Sequence, residues 1–243
     1  MKKLALFGCF ILVASALGDP AEATILGNPS ARLNQGQVAV GAEYAFGQKD
    51  TESGGETDEL ESHRIVGTIS YGFHERIEGT AKVGAGKIDS KSDDGSVSDF
   101  EGDFKPSFGG ALKVTLYEQE INPDSSWNIG AMGQYMRVES EDTILVSGTN
   151  VDAGLDINEW YAAAGASYTH KNFTPYGGVY LNFIDGEATV RVFGLSASAE
   201  FEEDELFGIF LGLDYEIFEN VTLGVEGRLI DQATIAGAVS YTF

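Results

Sequence analysis

Apolar and polar positions alternate along most of this chain. From Gln37 to Gly47, Val38, Val40, Ala42, Tyr44 and Phe46 fall on one face, and Gln37, Ala39, Gly41, Glu43 and Ala45 on the other. A period of two belongs to a β-strand, whose successive side chains point to opposite sides. The pattern returns in nine further segments, centred on Ile69, Ala81, Leu112, Ala131, Ala164, Val179, Leu211, Val225 and Val239. Each has about the 9–11 residues with which a tilted strand crosses a bilayer.

The connections alternate in length. Long links are expected at residues 47–62, 88–103, 139–156 and 185–205, and very short ones after the second, sixth and eighth segments. The link at 117–126 is of middling length, and the last, near Ile230 to Gln232, is short. Long loops at one end and tight turns at the other define an up-and-down antiparallel barrel. The predicted fold is therefore an all-β transmembrane barrel of ten strands, with eight or twelve as alternatives. A hairpin continuing the seventh and eighth strands is expected to turn near Gly194.

The two faces differ in content. One is aliphatic and aromatic. The other mixes small residues with Glu43, Glu78, Lys82, Lys113, Asp214, Glu226 and Arg228, which strict alternation places in the lumen. Opposite charges there are expected to pair, because an isolated charge in a low-dielectric interior is costly. Tyr71, Phe73, Tyr117, Trp127, Tyr168, Phe173, Tyr215, Phe218 and Tyr241 gather near the tight turns. Such amphipathic rings favour the headgroup zone.

Charge sharpens the picture. Of 38 acidic and 15 basic residues, the four long links hold 24 and 3, so nearly all of the net charge of -23 lies there. Nucleic acid is not expected as a partner, since phosphate binding needs a basic surface. Weak divalent cations at the acidic links are a possible partner. At the start, Lys2 and Lys3 precede an apolar run from Leu4 to Leu17, and Ala21-Glu22-Ala23 offers a small-x-small cleavage pattern. Residues 1–23 are read as a secretory signal peptide and 24–243 as the barrel domain. Cys9, the only cysteine, falls in the signal.

The ending Ala238-Val239-Ser240-Tyr241-Thr242-Phe243 resembles the C-terminal strand of bacterial outer-membrane proteins. That resemblance implies export through the periplasm, insertion into the outer membrane, and Val239, Tyr241 and Phe243 as a signal read by the barrel assembly machinery. Outer-membrane lipid and lipopolysaccharide would then be its surroundings. Segments such as Ser70-Tyr71-Gly72-Phe73-His74-Glu75-Arg76 resemble small porin-like barrels. The leading expectation is a structural or surface-exposed barrel, with a narrow passive pore as a variant and no enzymatic activity. His63, beside Asp58, Glu59 and Glu61, resembles the arrangement at the rim of the omptin proteases. A surface enzyme of the omptin or lipid-modifying kind is therefore the alternative. No cofactor, catalytic set or metal set is assigned.

Overall fold

The computed structural model describes residues 24–53, 56–91, 100–146, 149–229 and 233–243. The proposed signal peptide and the link at 230–232 lie outside them. Eleven strands form: β1 (Val38–Ser53), β2 (Glu56–His74), β3 (Ile77–Lys91), β4 (Phe100–Glu101), β5 (Lys105–Asn122), β6 (Ser125–Val146), β7 (Thr149–His170), β8 (Phe173–Val192), β9 (Leu195–Phe218), β10 (Val221–Leu229) and β11 (Ala233–Thr242). Ten are long, and β4 is a two-residue addition to β3. Each of the ten predicted segments lies within or ends beside one long strand.

All neighbours are antiparallel, and β1 pairs with both β2 and β11, which closes the sheet. The seam registers Ala39 opposite Thr242, and the Phe243 amide donates to the Val38 carbonyl at 2.8 Å. Over the span where all ten long strands pair, closure leaves no unpaired edge among the described residues, the condition under which strands survive in lipid. The outward positions carry the apolar residues, as at Ile69, Val83, Leu211 and Ile235, all of which are at least 60% exposed.

Four connections at one end are two-residue turns: Glu75-Arg76, Pro123-Asp124, Lys171-Asn172 and Glu219-Asn220. The middling link expected at 117–126 is thus a tight turn. Glu118 and Glu120 remain in the ladder opposite Asn128 and Ser126, with bulges absorbing the extra residues. At the other end the predicted loops are mostly strand. β6 and β7 stay paired from Ser125↔His170 to Val146↔Thr149. A strand of 22 residues is about 70 Å long, far more than a bilayer needs. β8 and β9 turn at Phe193 (φ 52°) and Gly194 (φ 75°), two left-handed residues of the kind that close two-residue hairpins.

The reason the extensions look like loops is chemical. In the lower part of β6, β7 and β8, apolar residues point out: Trp127 to Tyr135, Trp160 to Tyr168, and Val179 to Phe183. Beyond Tyr135, Trp160 and Phe183 the faces exchange character. Val138, Ile144, Val151, Leu155, Ile157, Ile184 and Val190 turn inward into a buried cluster, while Glu139, Glu141, Asp152, Asp156 and Glu187 face out. The solvent outside a strand changes from lipid to water at that level, so the apolar set moves to the only dry side left. The Tyr135 and Trp160 rings pack there in a tilted pair with centroids 4.5 Å apart, as Trp127 and Tyr168 do at 5.3 Å near the tight turns. These two pairs bracket a belt whose strands run about 27 Å, consistent with the apolar band of a membrane barrel after tilt.

Candidate functional site

The lumen is occupied by the chain itself. Residues 24–37, which show no periodicity in the sequence, run inside the barrel before β1 begins. At the tight-turn end the Gly36 amide donates to the Gly72 carbonyl at 2.8 Å, and the Gly72 amide to the Gln37 carbonyl at 3.0 Å. Deeper in, Arg32 donates through Nη1 to Asp214 at 2.9 Å and through Nη2 to Thr222 at 3.0 Å. Glu78 accepts from the Arg32 and Leu33 amides at 2.9 and 3.2 Å. Glu226 accepts from the Leu26 and Gly27 amides at 3.0 and 2.7 Å and from the Tyr176 hydroxyl at 3.3 Å. Lys82 bridges Glu43 and the Ile25 carbonyl, each at 2.9 Å. Gln134 donates to the Thr24 hydroxyl at 3.0 Å.

Two inner-face glycines make room for this segment. A Cβ on Gly130 would stand 2.6 Å from the Pro29 carbonyl oxygen, and one on Gly72 would collide with the Asn34 carbonyl. Leu26 packs among Met132, Tyr161, Ala163, Tyr176, Tyr180 and Phe210. A cavity of about 330 Å³ remains beside the segment at the tight-turn end.

All seven charged residues assigned to the lumen face it. Glu43 pairs with Lys82, Glu78 with Lys113 at 3.9 Å, and Asp214 with Arg32. Glu226 holds the Leu26 and Gly27 backbone amides. Arg228 lies over the Tyr161 and Tyr180 rings at 5.4 and 5.5 Å and donates to Thr234 at 3.3 Å. Val239, Tyr241 and Phe243 sit on the outer face at the seam, with Tyr241 and Phe243 edge-to-face at 4.8 Å.

Sequence reading missed two groups. The first is the segment 24–37, for which alternation offers no signal. Its isolated Ile25, Leu26 and Leu33 among turn-forming residues were the available hint. The second is the Arg64–Glu159 pair above the segment, joined by two hydrogen bonds, one of them 2.6 Å, with both side chains at most 2% exposed. Alternation from Ile65 and Trp160 puts both inside, so this pair was legible. Above it lies the apolar cluster of the strand extensions.

None of the three histidines lines the interior of the hairpin end. His63 faces outward, with Nδ1 2.9 Å from the Tyr44 hydroxyl. His74 ends β2, and His170 ends β7 with Nδ1 2.9 Å from the Ser125 hydroxyl, both beside tight turns.

The arrangement defines an all-β membrane barrel with a self-filled lumen. No family model matches the sequence, and neither does any curated protein. Among solved structures it is similar to the outer membrane protease OmpT of Escherichia coli, at 11% identity over 85% of this chain and 96% of that one, with a TM-score of 0.50. The transport unit of the autotransporter AIDA-I from Escherichia coli matches at 15% identity, 98% of both chains and a TM-score of 0.48. Ail, the attachment invasion locus protein of Yersinia pestis, matches at 16% identity, 86% of this chain and 99% of that one, with a TM-score of 0.36. At these identities the likeness is one of fold: the chain has the architecture of bacterial outer-membrane β-barrels.

Proposed function

We propose that the protein is a closed, structural outer-membrane barrel that carries acidic β-hairpins above the membrane surface. The observation that carries this reading is the occupied lumen. Among the described residues, each of the seven luminal charges is engaged with residues 24–37, a wall partner or an aromatic ring. The extended β6–β9 sheet supplies what is displayed: a charged outer face standing on its own apolar inner face. The apolar belt suits outer-membrane lipid and lipopolysaccharide, and the strand ending at Phe243 suits the barrel assembly machinery. With the tight turns in the periplasm, the hairpins face outward.

Single cysteines test the display. With the signal removed, the chain has no cysteine of its own. Thr143→Cys and Phe193→Cys should react with a membrane-impermeant maleimide on intact cells, whereas Lys171→Cys and Asn220→Cys should react only after the outer membrane is opened. The reverse pattern would invert the orientation and remove the display role.

A further inference from the structure

Just beyond the belt, the outer faces of β1, β2 and β3 carry a mixed set of donors that the lumen does not use. Register places Phe46, His63 and Lys87 in one row and Gln48, Glu61 and Asp89 in the next. Glu61 and Asp89 are directly opposed across the β2–β3 ladder, and each of Glu61, His63 and Asp89 offers a ligand atom within 4.8 Å of the other two. We propose that these three residues bind one divalent first-row metal ion, with zinc as the natural probe.

Three observations support the assignment. The first is chemical: an imidazole with two carboxylates suits zinc and its neighbours, whereas calcium and magnesium take oxygen ligands alone. The second is the Tyr44 hydroxyl, 2.9 Å from Nδ1 of His63. In the tautomer that carries its proton on Nδ1, the ring donates to this hydroxyl and keeps the Nε2 lone pair for a metal, a supporting contact typical of a metal-bound histidine. The Phe46 ring packs against the imidazole with centroids 4.9 Å apart. The third is Asp89. It is only 8% exposed, and among the described residues its Oδ1 has no hydrogen-bond partner. Its Oδ2 pairs with Lys87.

Ligand atoms about 2.0–2.1 Å from zinc stand roughly 3.3 Å apart in a tetrahedron, so side-chain shifts of up to about 1.5 Å close the set. Three protein ligands leave a fourth position for water on the outward side. Lys87 competes for Asp89 and weakens the site. Its chain also reaches toward the Phe104 ring, 6.0 Å away, an alternative resting place for the ammonium.

The test is calorimetric titration of chelator-washed, detergent-folded barrel with zinc. Wild type should bind one saturable equivalent. His63→Ala and Glu61→Gln should weaken binding at least tenfold, and Lys87→Gln should tighten it severalfold by freeing Asp89. No saturable binding by wild type, or equal binding by His63→Ala, would overturn the site. Lys87→Gln binding no tighter would remove Asp89 from it. Should His63→Ala fail to fold, zinc protection of the wild-type His63 ring from diethylpyrocarbonate replaces it, and an unprotected ring refutes the proposal.

Discussion

Glu226 shows how much one wall residue holds. Its carboxylate takes two backbone amides of the luminal segment and the Tyr176 hydroxyl. Glu226→Ala strands two buried donors and one partly buried one, and a buried donor costs about 1–3 kcal/mol when left without a partner. The folded band should therefore convert to the unfolded one at a clearly lower temperature on gels. Glu226→Gln, which keeps an acceptor, should lose less. Arg64 and Glu159 behave differently because they pair with each other. Removing either leaves a buried charge, at a cost of about 3–5 kcal/mol. Replacing both with apolar residues of similar volume should recover most of that loss. A double-mutant cycle measured by chemical unfolding checks it, and additive losses would show that the two residues do not act as a pair.

At the scale of elements, the luminal segment depends on the absence of two side chains. Gly130→Leu fills the space beside Pro29 and should expel residues 24–36 from the lumen. Trypsin added to the folded protein should then cut after Arg32 in the variant and spare that bond in wild type. Sparing in both would mean that the segment tolerates the added volume.

The strands themselves were legible because lipid imposes an uninterrupted apolar face, as in Phe207 to Tyr215. The hairpin that extends β8 and β9 to a turn at Gly194 was legible too, but the extension of β6 and β7 was not, because acid-rich stretches such as Asp152 to Asp156 read as loop. Their inner partners Val151, Leu155 and Ile157 carried the same period of two with the faces exchanged. The luminal charges followed from alternation alone. What they hold did not, since residues 24–37 have no repeating pattern and take their conformation from the wall around them.

At the scale of the molecule, the seam between β1 and β11 joins the two ends of the barrel, and Phe243 lies at its foot. Deleting Phe243 removes the amide that donates to the Val38 carbonyl and the ring against Tyr241. Insertion should slow, with more of the chain held in the periplasm and export itself unchanged. Pulse-chase fractionation follows this, and normal kinetics would separate Phe243 from assembly.

The central claim is that the barrel is closed by its own chain, and conductance in planar bilayers addresses it most directly. Wild-type protein should give no defined steps, and Gly130→Leu, or a form lacking residues 24–36, should give small, stable ones. Equal stepwise conductance in wild type and the opened forms would contradict the account, because ions would then be passing a segment that was supposed to exclude them.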